Sequence, residues 1–127
     1  MAKNKLLIID DDPDVAARFN EALKVNGFTG DIVNDAIVGL STFRNNVDAY
    51  FAVICDIRMP GKSGIELSKE IKKINPSIHL ILMSDNEKDY YSHANSESIM
   101  NFSDQFAIKP KNAEQVIKLI SGILEYD

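Results

Sequence analysis

Acidic side chains follow two separate apolar runs of this sequence. One run ends at Ile9 and is followed by Asp10, Asp11 and Asp12, and another ends directly before Asp56. Carboxylates within about 4–6 Å of one another cannot all stay ionised without a compensating charge. A divalent cation supplies that charge, and Mg²⁺ prefers one or two carboxylates together with water and phosphate oxygens. If the fold brings the two runs together, Asp10, Asp11 and Asp56 form a magnesium site.

Asp56 is the best candidate among these carboxylates for a nucleophile. It stands alone at the end of its run, whereas Asp10 and Asp11 are paired for metal binding. A carboxylate that the cation does not fully engage can carry a phosphoryl group as an acyl phosphate. Ser84 and Lys109 follow two later apolar runs. Because the transferred group is anionic, Lys109 would supply a positive charge and Ser84 a hydroxyl donor.

Short apolar runs alternate with longer segments of helical period along the chain. The runs predict five strands, at residues 6–9, 29–33, 51–55, 78–83 and 106–108. Apolar residues at helical spacing predict four helices, with inward-facing side chains at Val15, Phe19, Ala22 and Leu23, at Ile37, Leu40, Phe43 and Val47, at Leu67, Ile71 and Ile74, and at Val116, Ile117, Ile120, Ile123 and Leu124. A further helix over residues 86–100 has only a weak stripe, formed by Tyr90, Tyr91 and Ala94.

Capping and turn residues mark the ends of these elements. Asp12 is expected to cap the first helix, with Pro13 as its first residue, so Asp12 is interpreted as a cap and not as a metal ligand. Further signals are a capping box at Ser63 and Glu66, an N-cap at Asn112, and helix ends at Gly27 and at Asn75-Pro76.

Five strands alternating with five helices predict an α/β fold with a parallel sheet covered on both faces. Crossovers between parallel strands are right-handed, and the common arrangement of five such units is flavodoxin-like, a (βα)5 domain with strand order 2-1-3-4-5. Ligands of such sheets bind beyond the carboxyl ends of the strands, where the order reverses between strands 1 and 3. That edge would collect Asp10, Asp11, Asp56, Ser84 and Lys109.

Length and composition bound the class of protein. The 127 residues fit one domain, 1–127, and 45% hydrophobic with 26% charged residues is ordinary globular composition. The net charge of −5 disfavours direct binding to nucleic acid or to an anionic membrane. Cys55 is the single cysteine and is expected in the core, which excludes an internal disulfide and suits a reducing compartment. No apolar run approaches about 20 residues, so a cytoplasmic protein without membrane insertion is expected.

The motifs together resemble the receiver domain of two-component response regulators over essentially the whole chain. They are residues 7–13, the segment 56–61 with Gly64, Ser84, and the segment 106–110. The resemblance implies that Asp56 accepts a phosphoryl group from a phosphohistidine on a sensor histidine kinase or phosphotransfer protein. It also implies a Mg²⁺ cofactor, with Asp11 as a direct ligand, Asp10 acting through bound water, and the backbone carbonyl of Arg58 as a further ligand.

The same resemblance assigns the remaining site residues. Ser84 and Lys109 would contact the phosphoryl oxygens, Phe106 would be the aromatic whose rotamer follows Ser84, and the Lys109–Pro110 peptide bond would be cis. A downstream protein would bind the face formed by helix 4, strand 5 and helix 5, and the domain would be a monomer or weak dimer. It would be a signalling domain that assists its own phosphotransfer and dephosphorylation, not an enzyme.

Three other functions are weighed against this one. An aspartyl phosphohydrolase would want a second acid two residues after Asp56, where Arg58 stands, and a flavin carrier would want a phosphate loop where three aspartates stand. A pseudo-receiver, which binds partners without phosphorylation, stays open as the alternative. Asp85, next to Ser84, and the segment 101–104 depart from the family pattern, and Arg58 could alter the lifetime of the phosphoryl group.

Overall fold

The computed structural model describes residues 5–91, 99 and 101–124, and the strands in it form one parallel sheet in the order β2-β1-β3-β4-β5. The strands are β1 (Lys5–Ile9), β2 (Thr29–Val33), β3 (Ala52–Asp56), β4 (His79–Ser84) and β5 (Gln105–Ile108). The helices are α1 (Pro13–Val25), α2 (Ala36–Asn45), α3 (Gly64–Ile74), α4 (Lys88–Tyr91) and α5 (Ala113–Leu124), with a short 3₁₀ turn at Val47–Ala49. The predicted fold class and strand order are confirmed.

Register brings the acidic residues to the same level of the sheet. Ile9 pairs with Cys55, so the residues that follow them, Asp10 and Asp56, lie side by side at the carboxyl edge. Ser84 ends β4 on that edge and pairs with Ile108, the residue before Lys109. The alternation of strands and helices therefore delivers four strand ends to one place.

The central strands are buried on both faces, as their continuous apolar runs predict. Alternate residues of β1 belong to two core layers: Leu6 and Ile8 pack with α1 and α5, whereas Leu7 and Ile9 pack with α2 and α3. Cys55 is fully buried, as expected. A core layer on each side of the sheet holds the strand ends rigidly.

Side chains cap three of the helices where the sequence predicts caps. In each case a side-chain oxygen accepts a hydrogen bond from a backbone N–H of the first turn, which satisfies a donor that the helix itself cannot. The pairs are Asp12 with Asp14 at 2.9 Å, Ser63 with Glu66 at 3.2 Å, and Asn112 with Gln115 at 2.9 Å. Gly27, with φ of 80°, follows the end of α1, as predicted.

Two predicted core residues lie on the surface instead. Ile37 is 72% exposed and Ile117 is 38% exposed. In α2 the buried face is formed by Ala36, Gly39 and Phe43, and Ile37 is rotated about 100° from Ala36 around the helix axis. Ile117 stands in the same relation to the buried Val116. The predictions for these two side chains are wrong because each predicted inward-facing stripe includes one residue that lies outside the buried face of its helix.

Element boundaries differ from the predicted ones by one or two residues. β3 begins at Ala52 and includes Asp56, and β4 is shifted by one residue to His79–Ser84. The helix predicted over 86–100 begins at Lys88, and residues 92–98 and 100, with Ala94 of its stripe, lie outside the described residues, as do the side chains of Tyr90 and Leu124. Across the described chain, each helix is too short or too polar to cross a membrane.

Candidate functional site

Three carboxylates meet at the carboxyl edge of the sheet. Oxygens of Asp10, Asp11 and Asp56 all lie within 4.8 Å of one another. Asp10 is fully buried and Asp56 is 2% exposed, whereas Asp11 is on the surface. The cluster thus has two buried carboxylates and an exposed one, which leaves it open to an incoming ion or anion.

The turn from β1 into α1 fixes the orientation of Asp10. Its N–H donates to the carbonyl of Val33 at 3.0 Å, which extends the β1–β2 ladder by one bond. Its Oδ1 accepts the N–H of Asp12 at 2.8 Å, while the side chain of Asp12 caps α1. The prediction that Asp12 is a cap is confirmed, and the three consecutive aspartates have different tasks.

Lys109 connects the two buried carboxylates. Its Nζ lies 2.9 Å from Asp56 Oδ2 and 3.3 Å from Asp10 Oδ1, and the residue is 7% exposed. Its backbone N–H donates to the carbonyl of Ser84 at 2.8 Å, which ties the end of β5 to the end of β4. The predicted association of Lys109 with the acidic cluster is therefore present in the structure.

The Lys109–Pro110 peptide bond is trans, and the expectation of a cis bond is wrong. Trans is favoured by about 0.5–1 kcal/mol for a bond before proline unless its surroundings compensate. The trans form is thus the intrinsically favoured one, and the flanking groups make hydrogen bonds with the bond in this form: Lys109 N–H donates to the Ser84 carbonyl, and the Pro110 carbonyl accepts from Arg18 Nη1 at 3.4 Å.

Burial dominates the acid–base properties of the cluster. Burial raises the pKa of Asp56 to about 6, although the hydrogen bonds from Lys109 and from the N–H of Arg58 act in the opposite direction. Burial also raises the pKa of Asp10. For Lys109, burial disfavours the charged form, but the hydrogen bond to Asp56 and the charge of Asp10 outweigh it and raise its pKa. Lys109 therefore stays a cation beside carboxylates that are short of positive charge.

The donor set fits a hard divalent cation such as Mg²⁺. Three carboxylates face one ammonium group, so the cluster keeps an excess of negative charge. Asp10 Oδ2 is buried 3.2 Å from Lys109 Nζ, yet it accepts no hydrogen bond from any residue in the described ranges. An oxygen of this kind is available to a metal-bound water, since oxygen ligands and water are what Mg²⁺ prefers.

Ser84 and Arg58 are joined by a residue that the sequence reasoning missed. Asp89, in the first turn of α4, is 1% exposed, and its carboxylate accepts the hydroxyl hydrogen of Ser84. Arg58 Nε donates to Asp89 Oδ1 at 2.9 Å and to Oδ2 at 3.0 Å. The hydrogen bond from Arg58 holds the pKa of Asp89 below its usual range, although burial opposes it.

No pattern in the sequence distinguishes Asp89 from an ordinary surface acid of α4. Its importance arises from the start of α4 at Lys88, which places Asp89 five residues after Ser84, and from the reach of the Arg58 side chain out of the loop after β3. Because the Arg58 side chain is directed to α4, it contacts the cluster through its backbone, where its N–H donates to Asp56 Oδ1 at 3.1 Å. The Arg58 carbonyl as a metal ligand stays a prediction.

Phe106 lies in β5 and is half-buried against the core layer of α2 and α3. It pairs in register with Leu82 and lines a surface groove together with Tyr91 and Ile108. The site thus has an aromatic at the predicted position, and its coupling to the rotamer of Ser84 stays a prediction.

A glycine lets α3 start directly against the phosphoacceptor candidate. The N–H of Gly64 donates to the carbonyl of Ile57 at 2.9 Å, and a Cβ on Gly64 would lie 2.1 Å from the carbonyl oxygen of Asp56. No side chain fits at that position without displacing the backbone of Asp56.

Comparisons with known proteins give a consistent result. Residues 6–121 match the family model of the response regulator receiver domain. The transcriptional regulatory protein ZraR of Klebsiella oxytoca is 29% identical over 123 residues, which are 95% of this chain and 26% of that protein. The chain spans half the length or less of curated relatives that it matches.

Two solved structures of similar shape support the same family. A CheY-like receiver domain protein of Methanospirillum hungatei has a TM-score of 0.84 and 25% identity, covering 98% of this chain and 96% of that one. The response regulator TrrA of Thermotoga maritima, in complex with Mg²⁺ and beryllium fluoride, has a TM-score of 0.77 and 27% identity, covering 96% and 99% of the two chains.

Proposed function

The chain belongs to the response regulator receiver domain family, and we propose that it is a phospho-accepting receiver whose phosphoacceptor is Asp56. Its phosphoryl group would come from a phosphohistidine of a sensor histidine kinase or phosphotransfer protein. The observation that carries this proposal is the contact of Lys109 Nζ with both Asp56 and Asp10 inside the three-carboxylate cluster. Nucleophile, countercharge and metal donors are then within reach of one phosphoryl group.

The transfer exchanges one bond to phosphorus for another. A carboxylate oxygen of Asp56 forms a bond to phosphorus, the bond from phosphorus to the histidine nitrogen breaks, and its electron pair stays on the imidazole. Lys109 remains beside the new acyl phosphate and offsets part of the phosphoryl charge, since catalysis of phosphoryl transfer is mainly positioning and electrostatic stabilisation. Dephosphorylation returns the carboxylate when water takes the phosphoryl group.

Asp10, Asp11, Asp56 and the carbonyl of Arg58 would hold Mg²⁺, with Asp11 as a direct ligand and Asp10 acting through water. The cation would neutralise part of the charge on the transferring group. The buried Asp10 Oδ2, which accepts no hydrogen bond within the described residues, supports this assignment. The response regulator TrrA, a relative at 27% identity, forms a complex with Mg²⁺ and beryllium fluoride, which supports Mg²⁺ as the cofactor.

The energy available for switching is limited. Moving an equilibrium from 1:99 to 99:1 takes about 5.5 kcal/mol, whereas one hydrogen bond to a charged group contributes about 1.5–3 kcal/mol. Ser84 alone is therefore too weak for a complete switch, and a partial, partner-assisted switch is proposed. The downstream protein would bind the α4, β5 and α5 face, where Tyr91, Ile108 and Ile117 are exposed.

The wider role follows from the same site. The domain would work in the cytoplasm as a signalling module that assists its own phosphotransfer and dephosphorylation, and not as an enzyme with a separate substrate. A phosphorylation-independent pseudo-receiver is the second candidate. One observation favours it: Asp85, on the surface, lies 4.0 Å from Lys109 Nζ and adds a negative charge beside the path of an anionic group.

Intact mass spectrometry after incubation with acetyl phosphate and Mg²⁺ tests the proposal. The native chain should gain the mass of one phosphoryl group only when Mg²⁺ is present, and Asp56→Ala should gain none. Asp85→Asn is the matched control, because it removes a carboxylate near the site and should keep the label or increase it. No added mass in the native chain, or a label that survives Asp56→Ala, would reject phosphorylation at Asp56 and leave the pseudo-receiver.

A further inference from the structure

Asp89 is a buried carboxylate held between two residues at the carboxyl edge of the sheet, where Asp56 lies. It is 1% exposed, and its two partners come from different loops, Ser84 at the end of β4 and Arg58 after β3. Arg58 engages both of its oxygens, Oδ2 through Nε and Oδ1 through Nη2, which is the bidentate geometry that makes arginine–carboxylate pairs strong. Because Asp89 also accepts the hydrogen bond of the Ser84 hydroxyl, this salt bridge is connected directly to the candidate site, unlike an isolated surface ion pair.

The hydroxyl of Ser84 cannot serve two acceptors at once. A serine hydroxyl has a single hydrogen to donate, and in this structure it is donated to Asp89. A phosphoryl group on Asp56 would need the same hydrogen. Asp89 and the phosphoryl group are therefore competitors for one donor.

Arg58 makes the competition reversible. A buried carboxylate without a partner is costly, but Asp89 keeps its contacts to Arg58 Nε when Ser84 turns away. The side chain of Arg58 is 73% exposed, so it can hold Asp89 from outside without occupying the site. The release of Ser84 therefore leaves no uncompensated charge behind.

We propose that Asp89 is a positioning residue that holds the Ser84 hydroxyl away from the phosphoryl group and so weakens the phosphorylated conformation. This inference rests on the proposed function of Asp56. A hydrogen bond to a charged group corresponds to about a tenfold to hundredfold change in an equilibrium constant. Because Ser84 exchanges one charged acceptor for another, removal of the competitor should have an effect near the lower end of that range.

Beryllium fluoride with excess Mg²⁺ is the probe, because it occupies the place of a phosphoryl group without a covalent step. Its dissociation constant is measured by NMR titration of the folded, full chain. Asp89→Ala should bind it about tenfold more tightly than the native chain. In a Ser84→Ala background, Asp89→Ala should give no gain in affinity for the probe. In a Ser84→Thr background, which keeps a hydroxyl, the gain should return.

Asp85→Ala is the charge control. It removes an acid that lies 4.0 Å from Lys109 and whose side chain makes no hydrogen bond to the Ser84 hydroxyl among the described residues, so any gain should be equal with and without that hydroxyl. Asp89→Ala also frees the guanidinium of Arg58, and any attraction between this group and the probe should likewise be equal with and without the Ser84 hydroxyl. Asp89→Asn, which keeps the shape of the side chain, serves if Asp89→Ala fails to fold and should give a smaller gain.

The outcomes separate the two proposals. If the native chain does not bind beryllium fluoride with Mg²⁺, the proposed function fails and this inference fails with it. If the native chain binds the probe, but the Asp89 variants show no gain or the same gain without the Ser84 hydroxyl, only the positioning role of Asp89 is overturned. A gain that requires the hydroxyl supports it.

Discussion

Gly64→Ala is the substitution whose effect the geometry determines most directly. The new Cβ would lie 2.1 Å from the carbonyl oxygen of Asp56, 2.8 Å from its carbonyl carbon and 2.9 Å from Ile57 Cα. All three are backbone atoms, so no change of rotamer relieves the contact. To move the shortest distance from 2.1 Å to the 3.0 Å that real Cβ atoms respect, either α3 or the Asp56 peptide must shift.

The expected cost is about 2 kcal/mol of unfolding free energy. An extra methyl group in a well-packed region costs about 1–3 kcal/mol, and a contact with backbone places this case in the upper part of that range. Alanine is better than glycine in a helix by about 0.5–1 kcal/mol, which offsets part of the cost. The displaced Asp56 should also accept phosphoryl groups from acetyl phosphate more slowly.

Gly122→Ala is the matched control, since it makes the same chemical change inside α5. There the nearest atom to the new Cβ is Gln105 Nε2 at 3.6 Å, an ordinary contact, so stability should rise by about 0.5–1 kcal/mol. Urea unfolding of both variants measures the two signs, and intact mass follows the phosphorylation rate. Gly64→Ala with native stability and a native rate would refute the close-approach argument.

Three further substitutions test other parts of the fold. Lys109→Met leaves the buried carboxylates without their cation, so unfolding free energy should fall by about 3–5 kcal/mol in Mg²⁺-free buffer and recover in part when Mg²⁺ is added. Tyr50→Phe removes a hydroxyl donor to Asp31 and should cost about 1 kcal/mol at neutral pH. Burial raises the pKa of Asp31, but the hydrogen bond from Tyr50 helps to hold this pKa below its ordinary value. The contribution of the bond to stability is therefore present above that ordinary value and should vanish as acid protonates the carboxyl in the folded state. Asp104→Ala takes the acceptor from the N–H of Leu80 and should cost about 1–3 kcal/mol, with faster hydrogen exchange there, whereas Asp104→Asn should cost less.

The parts of the site that the sequence predicts are those fixed by strand ends. A continuous apolar run indicates a strand buried on both faces, and parallel strands in the order 2-1-3-4-5 must place their following residues on one edge. Asp10, Asp56 and Lys109 lie within salt-bridge distance for that reason. Backbone topology, which apolar patterns reveal well, was enough to bring them together.

The parts that the sequence does not predict depend on finer geometry. Ile37 and Ile117 are each one 100° step around the helix from a buried neighbour. The spacing of apolar residues does not show which residue of such a pair faces the core, and both of these face the solvent. The sequence pattern does not identify Asp89 as a site residue, because the burial of its side chain depends on where α4 starts relative to Ser84. The bond before Pro110 is trans, which is the intrinsic preference of a bond before proline and not the form that the family resemblance implies.

The charges of the site explain why the proposed phosphorylation should draw on Ser84. Three carboxylates against Lys109 leave room for one divalent cation. Phosphorylation removes the charge of the Asp56 carboxylate and adds about −2 from the phosphoryl group, so the site becomes more negative by about one unit. Lys109 and the cation offset part of this charge, and the Ser84 hydroxyl, which is donated to Asp89 in this structure, is a further donor. The added charge is what can take the Ser84 hydrogen from Asp89, because the charge of Asp89 is already offset by Arg58, whereas the site around Asp56 becomes more negative on phosphorylation.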